Sequence, residues 1–337
     1  MSRPGVSLLV CTHNGARRLR PTLAHLAAQR VAPTLPWEVV LVDNASTDDS
    51  AAVARASWPE PAPAPLRVVT EPRLGIGHAR LRAVETATYD VVGFVDDDNW
   101  LAPDWVQLAW ETMQAHPTVG ACGSFGEAAL EDGERPAWFE ANAAAYAVGA
   151  QVRAGEATPG ALWTAGLVVR RSAWQDVRAA GFEPMLLGRR GNLLSAGEDS
   201  ELCFALTQAG WRLAYEPRLR YRHAIPPARL TWAYVRALHY GFGMASVAMD
   251  HYYMAAGSPS SLRRRLLEVW IWRVLVSGMR LAGHSLRSML GPERAREALR
   301  AHIQRGRLRA LMAECGEYRD RTRRAREVVR RLAGRRR

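Results

Sequence analysis

Apolar and polar positions follow two regular patterns over residues 1–120. Short Val- and Leu-rich runs predict four buried strands, at Val6–Val10, Trp37–Asp43, Leu66–Thr70 and Val91–Val95. Helical spacing and capping residues predict helices with an apolar face of Leu19, Leu23 and Leu26, from Ser46, and over Gly77–Ala87. This order predicts an α/β fold with a mostly parallel sheet, helices on both faces and ligands at the carboxyl ends of the strands.

The pattern becomes less regular after the fourth strand. Ala128–Thr158 predicts a loop, Ala161–Arg170 a strand before a helix capped by Ser172, Ser195–Ala209 a loop leading into a helix, and Leu213–Tyr215 and Leu219–Tyr221 extended segments. From Arg229 the pattern is helical, and the Arg-dense stretch Arg319–Arg337 is predicted to fray. We therefore predict a catalytic domain over residues 1–230 and an Arg-rich helical region over residues 231–337.

Charge is distributed unevenly along the chain. The 337 residues carry a formal net charge of +12, and all 45 basic residues are Arg. From Arg263 onward there are 22 Arg against 7 acidic residues, a net +15, so residues 1–262 carry a net −3. The basicity therefore belongs to the C-terminal helical region and not to the α/β part.

Cysteine usage and hydropathy bear on the cellular compartment. The four cysteines are far apart and lack CxxC spacing, which predicts no disulfide framework or zinc site and favours a reducing, cytoplasmic setting. Met1–Val10 leads directly into the first strand, so we predict no signal peptide. The most apolar stretch, Leu266–Leu281, contains Glu268, Arg273 and Arg280, which argues against a transmembrane helix.

Two interpretations of Leu262–Leu290 stay open. Its Trp, Leu, Val and Met residues alternate with Arg, as in a peripheral helix on the anionic inner face of the cell membrane. The same pattern is compatible with a helical subdomain packed on the catalytic core with a solvated Arg face. Nucleic-acid binding is not expected, because the Arg-dense C-terminal tail has only Tyr318 as an aromatic residue and contains no recognisable nucleic-acid-binding module.

Candidate chemistry lies in Val91–Asn99, an apolar run that ends in Asp96, Asp97 and Asp98. Three adjacent carboxylates repel one another unless a positive group lies among them. Mg²⁺ or Mn²⁺ suits such a site, because each takes carboxylate oxygens and bridges to phosphates. The alternative is a solvated turn or helix N-cap ahead of the helical pattern that begins at Pro103.

Seven segments carry a family resemblance. In chain order they are VSLLVCTHN (6–14), VVLVDNASTDDS (39–50), LGIGHARLRA (74–83), VVGFVDDDNWLAPDWV (91–106), TAGLVVRRSAW (164–174), GEDSEL (197–202) and HAIPPARLTW (223–232). Over about residues 5–240 the chain resembles the family-2 inverting glycosyltransferases with the GT-A fold.

For the metal site, the resemblance implies a Mg²⁺ or Mn²⁺ cofactor with Asp98 as direct ligand. It implies that Asp96 contacts the donor ribose, or the metal through water. His223 is a candidate third ligand, with a structural histidine as the alternative. We expect Asp97 to face solvent, because adjacent residues in an extended segment point to opposite sides.

For the donor nucleotide, the resemblance places Thr12 and Asn14 at the nucleoside and Asp43 at the nucleobase edge. It places Arg80 near the diphosphate or the strand-end aspartates, with Arg82 as the competing choice.

For the acceptor, the resemblance assigns GEDSEL to the acidic catalytic motif. We expect Asp199 to be the general base and Glu198 to bind or orient the acceptor, with Glu201 facing solvent. Trp163, Gly166 and Trp211 are candidates for an acceptor pocket, although Trp is more often a core residue.

Together these features predict metal-dependent, inverting transfer of a sugar from a nucleotide-diphospho-sugar to a glycan or lipid-linked acceptor in surface polysaccharide biosynthesis. One alternative is a sugar-1-phosphate nucleotidyltransferase, but CTHNGARR has one Gly where that class needs a Gly-rich loop. The other is a non-catalytic basic binding protein, against which the acids Asp43, Asp96, Asp98 and Asp199 argue.

Overall fold

An eight-stranded mixed sheet lies at the centre of the protein, with helices on both faces and a group of C-terminal helices. The computed structural model describes residues 3–132, 134–152, 158–186, 188, 197–257, 269–290 and 293–335. The strands are β1 (Val6–Thr12), β2 (Trp37–Asn44), β3 (Leu66–Glu71), β4 (Val91–Asp96), β5 (Asn99–Leu101), β6 (Val119–Leu130), β7 (Leu167–Arg170) and β8 (Arg212–Ile225). Their order in the sheet is β3-β2-β1-β4-β7-β6-β8-β5.

Ten α-helices lie within the described residues. They are α1 (Ala16–Ala27), α2 (Ser50–Ser57), α3 (Ile76–Thr86), α4 (Trp105–Ala115), α5 (Arg171–Ala179), α6 (Glu198–Gln208), α7 (Trp232–Ala256), α8 (Trp270–Leu290), α9 (Arg294–Ala313) and α10 (Tyr318–Ala333). Short 3-10 helices cover Glu140–Tyr146 and Pro227–Arg229. None of the helices in the described ranges is long and apolar enough to cross a membrane.

Strand register brings three strand ends to one edge of the sheet. β1 pairs in parallel with β2 and β4, which aligns Thr12 with Asp43 and Cys11 with Asp96. The other half of the sheet is mixed, because β7 runs antiparallel to both β4 and β6. The prediction of a parallel sheet therefore holds for β1–β4, and this half alone sets the edge where the predicted site residues meet.

Both faces of this parallel half are covered, as the Val-rich strands predict. Every residue of β1 is buried. On one face Leu19, Leu23 and Leu26 of α1 pack in the same core cluster as Trp105 of α4. The apolar face predicted for the first helix is thus confirmed, and the strands are continuous apolar runs because neither face meets water.

Several predicted boundaries were wrong, each because of tertiary contacts. The Ser46 hydroxyl accepts from the Asn14 amide instead of capping a helix, and α2 begins at Ser50. The two predicted extended segments are one strand, β8, since it pairs with β6 along most of its length. Only the last four residues of the predicted Ala161–Arg170 strand pair, as β7, and α5 begins at Arg171 instead of being capped by Ser172.

The predicted loop Ala128–Thr158 also carries regular structure. Its first residues belong to β6, which ends at Leu130, and Glu140–Tyr146 forms a 3-10 helix. The tail expected to fray is helix α10, because Ala325, Val329 and Leu332 are buried in the same core cluster as α6 residues. Apolar and Arg positions alternate in α10, so the segment forms an amphipathic helix when its apolar side packs against the core.

Parts of several predicted segments lie outside the described residues. They are residues 133 and 153–157 of the predicted loop Ala128–Thr158, residues 195–196 ahead of α6, residues 262–268 ahead of α8, and the terminal residues 1–2 and 336–337. The helix predicted after Ser195 is confirmed as α6.

Close helix crossing holds α7 against α9. A Cβ on Gly243 would lie 2.0 Å from the Ile303 carbonyl oxygen, and one on Gly306 would lie 2.0 Å from the Tyr240 carbonyl oxygen. Only glycine permits this backbone approach. The boundary between residues 1–230 and 231–337 stays a prediction, and described helices of the second region pack directly on the first.

Candidate active site

A cavity of about 360 Å³ opens at the carboxyl ends of β1, β2 and β4. The start of α6, the end of β8 and the 3-10 helix at Pro227–Arg229 close its other sides. Seven of the predicted site residues line it, namely Thr12, Arg80, Asp96, Asp98, Glu198, Asp199 and His223. Segments that are distant in sequence therefore meet at one point, where the α/β architecture places ligands.

Asp97, the central aspartate of the triplet, is buried, and the prediction that it faces solvent is wrong. Its carboxylate accepts from Thr12 Oγ1 at 2.6 Å and from Arg18 Nε and Nη2, both at 2.9 Å. Its carbonyl accepts from Thr22 Oγ1 at 2.8 Å. Asp97 thus joins the ends of β1 and β4 to α1, and both of its carboxylate oxygens are occupied by Thr12 and Arg18.

Asp98 lies in a buried charged group with His223 and Arg229. Arg229 Nη1 donates to Asp98 Oδ2 at 2.8 Å, and His223 Nε2 lies 3.5 Å from Asp98 Oδ1. Burial by itself disfavours the charged carboxylate, but the charges and hydrogen bonds of His223 and Arg229 outweigh it and hold the pKa of Asp98 well below its usual range. Asp98 is therefore ionised, as a hard oxygen ligand must be, and its Oδ2 is paired with Arg229 in this structure.

His223 is oriented by its backbone partner. Its Nδ1 donates to the Tyr146 carbonyl oxygen at 2.7 Å, which directs Nε2 toward Asp98. Burial lowers the pKa of His223, but the Asp98 carboxylate outweighs burial and raises it, which favours a proton on Nε2 toward Asp98. A divalent cation would take the place of that proton, because a histidine ligand binds a metal through a neutral nitrogen.

The Asp98 and His223 side chains fit a divalent cation that shares its coordination with a substrate. Across the described residues, no group of three or more His, Cys, Asp or Glu is placed to hold a metal alone. Mg²⁺ commonly takes one or two protein ligands and completes its shell with water and phosphates. The donor set of one carboxylate and one imidazole is therefore adequate for a cation that arrives with a phosphate-bearing ligand.

Arg80 links the two sides of the cavity. Its Nη1 donates to Glu198 Oε1 at 2.9 Å, and its Nη2 lies 3.6 Å from Asp96 Oδ1. Arg80 is 9% exposed, whereas the Asp96 side chain is 37% exposed. Asp96 thus contacts Arg80, whereas Asp98 contacts His223. Arg82, the competing choice, is not among the described residues that line the cavity.

Two carboxylates at the start of α6 differ in their surroundings. Burial, and then the charge of Glu198, raise the pKa of Asp199 to about 7. Glu198 pairs with Arg80 through Oε1, while its Oε2 is buried and has no hydrogen-bond partner in the described part of the chain. A buried carboxylate oxygen without a donor is suited to receive a hydroxyl from a ligand. Asp199, with its raised pKa, is suited to accept a proton near neutral pH.

Asn14 and Asp43 lie next to the cavity and do not line it. Asn14 Oδ1 accepts from the Thr47 amide at 2.8 Å, and Asp43 Oδ1 accepts from the Ser46 amide at 3.2 Å. Both side chains thus fix the turn that follows β2. Their nucleoside contacts stay predictions.

Glu201 of α6 is fully buried, so its predicted solvent exposure is wrong. Its two carboxylate oxygens accept from the amides of Met185 and Leu186, each at 2.8 Å. Burial raises the pKa of Glu201 to about 8. The residue fixes the backbone of Met185 and Leu186 against α6. Of the three acceptor candidates, Trp163 lines the cavity. Trp211 is a core residue at 8% exposure, and Gly166 is not among the described residues that line the cavity.

Three of the cavity residues that were not predicted from the sequence form polar contacts that hold the site. Arg18 pairs with Asp97, Arg229 pairs with Asp98, and the Asn44 side chain holds the turn before α3 by accepting from the Gly75 amide at 2.8 Å. Arg229 follows His223 by six residues, and the intervening Pro226 and Pro227 indicate a fixed turn. That turn is the feature of the sequence that could have pointed to Arg229.

The doubly covered sheet and its charged strand-end cavity define an α/β enzyme. The model of the family described as "Glycosyl transferase family 2" matches residues 7–154, and that of "Glycosyl transferase family group 2" matches residues 91–293. The chain belongs to the family-2 glycosyltransferases and has the GT-A fold.

Similar proteins span most of the chain. The succinoglycan biosynthesis protein ExoM of Rhizobium meliloti is 25% identical over 320 residues, which are 91% of this chain and 93% of ExoM. The glucosyl-dolichyl phosphate glucuronosyltransferase of Haloferax volcanii is 24% identical over 273 residues, 79% of this chain and 84% of that protein. The solved mannosyltransferase PcManGT of Pyrobaculum calidifontis, in complex with GDP-Man and Mn²⁺, shares the fold with a TM-score of 0.59 at 19% identity, covering 93% of this chain and 89% of that one.

Proposed function

We propose that this glycosyltransferase moves a sugar, with inversion, from a nucleotide-diphospho-sugar to a hydroxyl of a glycan or lipid-linked acceptor. The observation that carries the proposal is the bridge formed by Arg80, which touches Glu198 on one side of the cavity and approaches Asp96 on the other. One side thus offers strand-end carboxylates and Arg for a phosphate-bearing donor. The other offers the carboxylates of Glu198 and Asp199 for an acceptor.

On the donor side, Asp98 and His223 would hold Mg²⁺ or Mn²⁺, which when bound supplies Lewis-acid stabilisation of the departing diphosphate. Arg229 and Arg80 would bind phosphate oxygens, and their position in the lining of the cavity supports this role. Arg229 pairs with Asp98 in the present structure, so donor binding requires it to release or share that carboxylate. We keep Thr12, Asn14, Asp43 and Asp96 as proposed nucleoside contacts.

On the acceptor side, Asp199 takes the proton from the hydroxyl as its oxygen forms a bond to the anomeric carbon. The bond from that carbon to the phosphate oxygen breaks in the same displacement, and the nucleoside diphosphate leaves. Glu198, held by Arg80, orients the hydroxyl through its unpaired Oε2. A single displacement, with the base on the face opposite the leaving group, inverts the configuration at the anomeric carbon.

The acceptor class and cellular role rest on similarity and on sequence. ExoM carries succinoglycan biosynthesis in its name, which supports surface polysaccharide biosynthesis as the role of this chain. The four cysteines of this chain are free thiols, and three of them are buried, which supports a cytoplasmic location. We extend the proposal to peripheral contact with the inner face of an anionic membrane.

A thermal-shift screen tests the donor assignment. We expect one nucleotide sugar, or its nucleoside diphosphate, to raise the melting temperature with Mn²⁺ and to do so much less with EDTA. A ligand that binds only the native state stabilises it, by about 2.7 kcal/mol at about 100 times its Kd. Sugar-1-phosphates and nucleoside triphosphates serve as the control set. Stabilisation by that set alone, with no response to any nucleotide sugar, would contradict the proposal in favour of nucleotidyl transfer.

The rate of transfer is expected to depend on pH through Asp199. Its pKa of about 7 means that the base is protonated at lower pH and ionised at higher pH. We expect kcat to fall roughly tenfold per pH unit below that value and to reach a plateau above it. Initial rates at saturating donor and acceptor provide the profile. A flat profile through neutrality would remove Asp199 as the base.

A further inference from the structure

Helix α8 (Trp270–Leu290) presents apolar side chains to solvent along its whole length. We call these residues the outer apolar stripe: Ile271, Trp272, Leu275, Met279, Ala282, Leu286, Met289 and Leu290. The exposed fractions of its large side chains range from 38% for Trp272 to 74% for Leu290. A contiguous exposed apolar patch of this kind marks an interaction surface, unlike single apolar residues scattered over a surface.

The stripe is continuous around the helix as well as along it. At about 100° per residue its eight members fall within an arc of about 100°, and no described residue of α8 within that arc is polar. The helix is about 30 Å long at a rise of about 1.5 Å per residue. Its apolar face is therefore a band roughly five to six turns long.

The polar side of α8 is turned toward the protein. Arg273 is buried and forms an ion pair with Asp250 of α7. His284 Nδ1 lies 2.7 Å from Glu297 Oε2 of α9, and Ser277 is also buried. Rotating the stripe inward would bury apolar groups but would break the Arg273–Asp250 ion pair and the His284–Glu297 contact, and breaking a buried ion pair is strongly destabilising. The outward direction of the stripe thus follows from satisfied polar contacts on the opposite side.

Charge around the stripe identifies the kind of surface that covers it. Residues 263–337 carry a net +15. Arg280 and Arg287 lie beyond one edge of the stripe, and Arg287 is paired with Glu297 of α9 while its side chain stays 61% exposed. An apolar face with Arg at its border is the pattern of a helix that lies in the plane of an anionic membrane. A second copy would bring the same excess of positive charge to the interface, which disfavours self-association.

We propose that α8 docks the protein on an anionic lipid surface, with the outer apolar stripe at the boundary between headgroups and acyl chains. Because α8 is held by α7 and α9, the docking surface is preformed and needs no folding on binding. The inference deepens the peripheral membrane contact of the proposed function by naming its surface, and it stands independently of the chemistry proposed for the cavity.

Vesicle binding of the full chain tests this surface. We expect the protein to co-sediment with phosphatidylcholine vesicles that contain phosphatidylglycerol, and much less with phosphatidylcholine alone. Met279→Glu/Leu286→Glu is expected to weaken binding by about tenfold or more, because two charges would enter an apolar boundary. The matched control, Ala52→Glu/Ala56→Glu on the exposed face of α2, makes the same change in net charge and is expected to bind as the native chain does.

Other measurements separate this proposal from its rivals. Circular dichroism checks that the variants fold, and nucleotide binding without lipid checks that the cavity is intact. The proposal is overturned if the native protein does not bind anionic vesicles. It is also overturned if the stripe variant binds them as well as the control variant does. A native dimer in light scattering that becomes monomeric only in the stripe variant would assign the surface to a second copy instead. A native chain that binds vesicles but no nucleotide would overturn the donor proposal and support this one.

Discussion

Asp199→Asn is expected to lower kcat by about 10²–10⁴-fold, the usual contribution of a general base. The amide keeps the size of the side chain but cannot take a proton from an attacking hydroxyl. The burial that raises the pKa of Asp199 makes the neutral amide easy to accommodate, so we expect no loss of folding stability. Donor affinity should change little, because Asp98, His223 and Arg229 lie on the phosphate side of the cavity and keep their contacts.

Two measurements separate the base assignment from a general loss of function. Calorimetry should show that Asp199→Asn binds nucleoside diphosphate with Mn²⁺ as tightly as the native chain, while transfer assays show the loss in kcat. Asp104→Asn, the same chemical change at an exposed aspartate, is the matched control and should transfer at the native rate. Near-native turnover of Asp199→Asn would refute the assignment, and Glu198→Gln would then be the next variant to measure.

The second large effect is expected at the metal site. Asp98→Asn should remove the gain in nucleoside diphosphate affinity that Mn²⁺ provides, by about 100-fold or more, since outer-shell partners alone change metal affinity by about 10–100-fold. The reason is that the Asp98 carboxylate would supply the anionic oxygen of the proposed ligand pair, and His223 would supply only a neutral nitrogen. Titration calorimetry with Mn²⁺ and with EDTA measures this gain directly, without an activity assay.

The adjacent aspartate offers a sharp contrast. Asp97→Asn removes the ionic partner of Arg18 and weakens the link between β1, β4 and α1, so we expect a lower melting temperature. Because the Asp97 carboxylate is occupied by Arg18 and Thr12, the effect of Mn²⁺ on nucleotide affinity should persist in this variant. If Asp98→Asn keeps its response to Mn²⁺, or if Asp97→Asn loses it, the division of roles within the triplet is wrong.

Local pattern was sufficient for much of the fold. The four strands of the parallel half and the first apolar helical face depend on spacing within a few residues, and the structure confirms them. The pairing of β6 with β8 and the antiparallel placement of β7 depend on contacts between distant segments. The same holds for α10, whose Arg-dense sequence is helical because its apolar side packs in a core that α6 and α7 share.

The candidate site divides in a similar way. The type and order of residues along the chain predicted Asp98, His223, Glu198 and Asp199 as site residues, and all four line one cavity in the structure. Glu201 was expected in solvent, yet it is fully buried and holds two backbone amides. No role was predicted for Arg229. In a chain with many arginines, only the folded structure shows which Arg pairs with a site carboxylate.

The amino-acid sequence was enough for the α/β class, the strand ends at which acidic residues gather, and the resemblance that the family matches confirm. These features are encoded in short-range periodicity and in the order of motifs along the chain. Three-dimensional packing was needed to show which two aspartates of the triplet are buried, which arginines pair with the site carboxylates, and that the apolar face of α8 points outward. Each of these depends on the partner that folding brings within hydrogen-bond distance, and no local stretch of residues specifies that partner.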